Sequence, residues 1–158
     1  MLKHGDKLYY LGKEVTVCHV LGRGISEVKD TRLCIYGSVE FLPRRVQDFY
    51  KREANTIIPP MVRNFTKILG VSYNNITFKD TKTRWGSASS NGNLSFSWRI
   101  VMADLHIIEY VVAHEVSHLV EMNHSKRFWE VCKQICPSYK ARDFWLKQNG
   151  HIFLFIEF

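Results

Sequence analysis

Proline and glycine are scarce, at 4 Pro and 9 Gly in 158 residues, which excludes collagen-like and low-complexity chains. Long hydrophobic runs are missing as well. The longest, Ile152-Phe153-Leu154-Phe155-Ile156, falls far short of the roughly 20 apolar residues that a helical bilayer crossing requires. The opening Met1-Leu2-Lys3-His4-Gly5-Asp6-Lys7 carries charge with no apolar stretch of signal-peptide length behind it, so the expected location is cytoplasmic, with no membrane partner. Cysteine is sparse too. Cys18, Cys34, Cys132 and Cys136 cannot form a disulfide scaffold in a chain this long and read as reduced thiols. Cys132 and Cys136 share a helix face but have no second pair nearby, and they read as small core residues rather than as a metal site. Acidic residues are in deficit: 15 Asp plus Glu stand against 22 Lys plus Arg, a net charge of +7. Such an excess suits polyanions. Apart from Arg44-Arg45, Lys51-Arg52 and Lys126-Arg127, however, the charge is dispersed, and dispersed charge is more often a solvated surface than a nucleic-acid stripe.

The composition is that of a globular chain, 46% apolar and 13% aromatic. The length suits one domain over 1–158, with an N-terminal strand region at 1–42 and the rest, 43–158, as its core. Residues 8–42 alternate short apolar runs with Gly and Asp and predict a small antiparallel meander. From Pro43 the apolar spacing becomes helical through Val46, Phe49, Tyr50, Ala54 and Ile57. Pro59-Pro60 should break or kink that helix, and Gly70 should cap its continuation. Strand chemistry returns at Ile76-Thr77-Phe78 and Leu94 to Trp98, around the hairpin signal Asn91-Gly92. Asp104 suits the cap of a helix reaching about Met122, and Ser125 suits the cap of another, which Pro137 ends. A last helix runs over Tyr139 to Gln148. The apolar tail from Phe153 to Phe158 is expected to pack as a final strand.

The chemistry lies in His114-Glu115-Val116-Ser117-His118, an HExxH sequence inside the most convincing helix. Residues four apart stack on one helix face, so the two imidazoles can grip one ion while Glu115 stands beside it as a base. A catalytic zinc commonly takes a third protein ligand. His124, six residues beyond His118, has the offset of the metzincin pattern, with Asn123 able to adopt the left-handed turn that would end the helix. Glu121 competes for the role. His124 is favoured, because a carboxylate that close would have to bend back along its own helix.

The segments Thr83-Arg84-Trp85-Gly86-Ser87, Gly92-Asn93-Leu94, Trp98-Arg99, His114-Glu115, His118-Leu119, Met122-Asn123-His124-Ser125, Phe128-Trp129 and Tyr139-Lys140 to Trp145-Leu146 resemble the YgjP-like metallopeptidase family, a relative of the SprT-like and WLM zinc proteases. The resemblance runs from about Leu8 to Gly150. It implies an α+β minimal zincin fold, a small mixed or antiparallel sheet packed on an active-site helix with flanking helices. It also implies one zinc per chain at His114, His118 and His124, Glu115 as general base, and a peptide or protein substrate. Two departures stand out: Ala88 occupies a position where the family usually has Cys, and Met1 falls partway into a basic strand region that is usually longer.

Arg84, Trp85 and Tyr139 are candidate substrate contacts, although an Arg and a Trp on neighbouring strands more often form a structural stack and Tyr139 fits core packing. In zincins the active-site helix runs beneath an edge strand, and Asn93 to Trp98 is the expected edge, which would place Asn93, Ser95 and Ser97 against an extended peptide. The alternatives are a zinc hydrolase of a nucleotide phosphoanhydride and a zinc-stabilised DNA-associated module. Glu115 argues against the second, because a structural zinc needs no base.

Overall fold

A computed structural model describes residues 1–158. It is an α+β molecule with two small sheets, and one apolar core takes side chains from both. The first sheet contains β1 (Lys7–Tyr10), β2 (Lys13–Val20), β3 (Glu27–Lys29) and β4 (Arg32–Tyr36), in the order β1-β2-β4-β3. It is mixed rather than an antiparallel meander, because β2 and β4 run parallel. After Val20 the chain first lays down the outer strand β3. It then turns through Asp30, at φ 56°, so that β4 enters the space beside β2. Val15 and Val17 on β2 and Leu33 and Ile35 on β4 face the core. The β1–β2 turn, Leu11-Gly12, has both residues at positive φ, as a two-residue hairpin with right-handed twist requires. Its two N–H groups donate to the carbonyls of Val101 and Met102, which docks this sheet onto the segment leading into the helix that carries His114 and His118.

The long helix α1 (Leu42–Leu69) contains both Pro59 and Pro60, so of the expected break or kink the break does not occur. Proline at these positions removes hydrogen bonds to the carbonyls of Asn55 and Thr56. Both residues lie on the exposed face, where water can satisfy those carbonyls. The buried stripe through Ala54, Ile58 and Val62 continues past the prolines and keeps the two halves on one core. Gly70 ends the helix in the left-handed conformation, at φ 67°, as expected.

The second sheet holds β5 (Asn75–Lys79), β6 (Gly86–Ala88) and β7 (Asn93–Ser97), in the order β5-β7-β6. The hairpin at Asn91-Gly92 therefore joins β7 to β6, not to the Ile76–Phe78 strand, which pairs with β7 in parallel. The expected edge strand is thus the central one. Ser95 lies between Thr77 and Ser87, Asn93 and Ser97 pair with β5 on one side and bond to Ser89 and Trp85 flanking β6 on the other, and the Ser97 hydroxyl accepts the N–H of Arg99. The edge that lies against Glu115 is β6, whose Gly-Ser-Ala sequence carries no strand propensity.

A buried turn of 3-10 helix, Trp98–Met102, leads into α2 (Leu105–Ser117). Asp104 caps α2 by accepting the N–H of His106 at 2.8 Å. The helix stops at Ser117 rather than near Met122, and it stops without a left-handed Asn123: Leu11 and Asp30 are the non-glycine residues at positive φ. Instead, i→i+3 bonds from His118, Leu119 and Val120 to Glu115, Val116 and Ser117 tighten the last turn. Ser125 then caps α3 (Lys126–Ile135), and α4 (Tyr139–Asn149) follows. The tail is not a strand. Gly150 keeps a right-handed conformation and leads into the short helix α5 (His151–Leu154). The buried Arg99 supplies what a strand partner would have supplied, donating to the carbonyls of Phe153 at 2.9 Å and Ile156 at 2.7 Å while pairing with Asp80 at 2.6 Å.

Candidate metal centre

Helix α2 and the turn behind it bring three imidazoles together. The nearest ring nitrogens of His114, His118 and His124 all lie within 4.8 Å of one another, and Nε2 of His114 is 3.2 Å from Nε2 of His124. Two nitrogens bound to one tetrahedral zinc at about 2.0–2.1 Å would stand roughly 3.3 Å apart. The His114–His124 pair has that spacing, and the three imidazoles together could hold one metal ion. Glu121, the competing residue, takes another part: its backbone carbonyl accepts from Nδ1 of His118 at 3.2 Å.

The rings rest on an aromatic bed. Phe128, buried on α3, has its centroid 5.0, 4.5 and 4.9 Å from those of His114, His118 and His124. Trp129 stacks on His124 at 5.9 Å, and Tyr139 stacks on Trp129 at 5.2 Å. The Ser125 cap that starts α3 thus places Phe128 and Trp129 behind the three imidazoles. Burial and the neighbouring imidazoles hold His114 down at about 4; burial also lowers His118. Neutral imidazole is the form that binds metal.

Glu115 is buried. Burial pushes its carboxyl up to about 7, against the pull of the Arg84 guanidinium, and a group poised near neutrality suits proton transfer. Its carboxylate lies against β6, within van der Waals reach of Gly86. Both sit on a cavity of about 350 Å³ that also takes in Arg84, Trp85, Tyr110, His114 and Asp143.

Of the other candidates, Arg84 is exposed at the cavity mouth. Trp85 lines the cavity while packing edge-on against Phe153 at 6.3 Å. Tyr139 lies behind His124 in the aromatic stack rather than on that cavity. Cys132 is buried and its thiol is pushed up to about 12 by burial, in keeping with a core residue. Two residues that the motif does not mark also reach His114. Tyr110 contacts its Nδ1 at 3.3 Å, and Asp143 on α4 accepts from the Tyr110 hydroxyl at 2.8 Å. An aromatic residue one turn before an HExxH histidine is a detectable signal for the first; nothing local marks the second.

The sequence matches the family model described as YgjP-like, metallopeptidase domain, over residues 1–149. No curated protein matches it. Among solved structures the fold resembles that of the metallopeptidase zymogen abylysin of Pyrococcus abyssi, with 18% identity, a TM-score of 0.53, and coverage of 59% of this chain and 95% of that one. The zymogen jannalysin of Methanocaldococcus jannaschii aligns at 21% identity and TM-score 0.46, over 55% of this chain and 93% of that one. Wss1 of Saccharomyces cerevisiae aligns at 16% and 0.47, over 63% and 84%. No helix is long and apolar enough to cross a membrane.

Proposed function

This chain belongs to the YgjP-like metallopeptidase family, and from that premise we propose that it hydrolyses peptide bonds with one zinc ion held by His114, His118 and His124 and with Glu115 as general base. The observation that carries this reading is the convergence of three imidazoles within 4.8 Å beside a buried carboxylate. Three neutral imidazoles suit a borderline ion and leave a coordination position open. When bound, zinc supplies Lewis acidity that lowers the pKa of a water and polarises a carbonyl. Glu115 takes the proton of the attacking water and hands it to the departing amine. Arg84, at the cavity mouth, is placed to hold a carbonyl or carboxylate of the substrate, with Trp85 as an apolar wall.

Metal analysis of two variants tests the ligand set. His124→Ala should lose most of its zinc and Glu121→Ala should keep it. The reverse result would move the third ligand to Glu121.

The peptide is proposed to add to β6. Ser97 donates to the carbonyl of Trp85 at 2.8 Å and Ser89 donates to that of Asn93 at 3.0 Å. Alternation along an antiparallel pair therefore turns Ser87 towards β7 and leaves the peptide groups of Gly86 and Ala88 pointing outward. An extended substrate can take up those groups with little demand on its own sequence. Proline is tolerated where an edge N–H faces solvent, so Ala88→Pro should cut peptide turnover about tenfold, the worth of one hydrogen bond, with unfolding and zinc content near wild type. Unchanged turnover would place the substrate elsewhere.

A further inference from the structure

We propose that Tyr110 and Asp143 are positioning residues that hold His114 in its Nδ1–H tautomer and thereby present its Nε2 to the metal; this rests on the zinc site proposed above. Tyr110 and His114 are one turn apart on α2, so both side chains project from one face. The Tyr110 hydroxyl has one hydrogen to give and lone pairs with which to accept. It stands 2.8 Å from a carboxylate oxygen of Asp143 and 3.3 Å from Nδ1 of His114. The Asp143 carboxylate, paired through its other oxygen with Lys147 at 2.8 Å, can only accept. The hydroxyl hydrogen is therefore committed to Asp143. What remains for His114 is to donate its Nδ1–H to the tyrosine oxygen, and this leaves the Nε2 lone pair facing His124. His118 reaches the same tautomer by another route, with Nδ1 donating to the Glu121 carbonyl. The helix α4 thus reaches His114 through Asp143 and the Tyr110 hydroxyl.

The arrangement predicts a specific ordering of variants. Tyr110→Phe keeps the buried ring and removes the acceptor. Asp143→Ala frees the tyrosine hydrogen, which can then donate to Nδ1 and favour the wrong tautomer. Asp143→Asn keeps an acceptor oxygen for the hydroxyl and should behave almost as wild type. Partners of this kind typically contribute about 10- to 100-fold in metal affinity. Zinc affinity measured by chelator competition should accordingly fall by that factor in Tyr110→Phe and in Asp143→Ala, should fall little further in the double variant, and should be restored in Asp143→Asn. Nitrogen-15 spectra of the imidazoles in the metal-free protein read the tautomer directly. Wild type should show Nδ1–H at His114, and Tyr110→Phe a mixture. A purely structural role would lower the unfolding temperature while leaving affinity and tautomer unchanged. Wild-type affinity in both single variants, or Nε2–H at His114 in the wild type, overturns the proposal. Wild-type protein that takes up no zinc while its spectrum shows Nδ1–H would be a failure of the zinc reading, distinguishable from failure of the relay.

Discussion

Glu115→Gln should bind zinc as wild type does and lose peptide hydrolysis by about 10²- to 10⁴-fold, the usual contribution of a general acid-base group. Glutamine fills the volume of glutamate and keeps an acceptor oxygen, but it cannot carry the proton from water to amine. Zinc binding should survive because the converging ligand atoms belong to the three histidines, and Glu115 projects towards Gly86. Zinc content and turnover of the best wild-type peptide, measured on one preparation, decide the matter. Retained turnover would remove Glu115 from the chemistry, and lost zinc would make it a ligand. The same substitution carries a signature in pH. Burial raises the carboxyl from 4.5 to about 7, and a carboxyl whose folded-state pKa stands above its unfolded one weakens the fold as pH rises through that interval. In the metal-free state Glu115→Gln should therefore gain stability over wild type at pH 8 and match it near pH 4.

How far the site could be read from the chain follows from how local each part is. His114, Glu115 and His118 lie within five consecutive residues of one helix, so spacing alone implies their common face. His124 needed one more step, a reversal after α2. The direction of that reversal was legible in the offset, but its means was not: a run of i→i+3 bonds does the work expected of Asn123. Asp143 was beyond reach, because its link to the site spans 33 residues and depends on how α4 packs on α2. In the sheets the same division holds. Alternating Leu94 and Phe96 mark β7 as a strand, but its place in the sheet depends on β6, whose three small residues become a strand only by pairing. Pro59 and Pro60 leave α1 unbroken because the carbonyls they orphan are harmless where they face water. The tail misled because its apolar pattern does not distinguish a strand ladder from carbonyls capped by the Arg99 guanidinium.

Gly86→Ala should abolish most activity with little effect on the fold. A methyl group at position 86 would stand 2.8 Å from Cγ and 2.9 Å from Oε2 of Glu115, closer than non-bonded carbon contacts allow. The neighbour that must yield is the end of a flexible side chain rather than backbone, so the accommodation is a rotation of the Glu115 carboxylate away from β6. Gly86 has no positive φ among the glycines that do. Alanine is therefore conformationally acceptable there, and its reduced freedom in the unfolded chain offsets part of the steric cost, by about 0.4–1 kcal/mol. Catalysis has no such compensation. Displacing a catalytic group by about 1 Å typically costs on the order of 10²-fold, so kcat should fall by about that factor while zinc content and the unfolding midpoint stay near wild type. The double variant Gly86→Ala with Glu115→Gln should be no slower than Glu115→Gln alone, because the glycine acts through the carboxylate and the two losses share one cause. Additive losses would mean that residue 86 works on the substrate directly, through the exposed edge of β6, and a large drop in stability would mean that the strand rather than the carboxylate gives way.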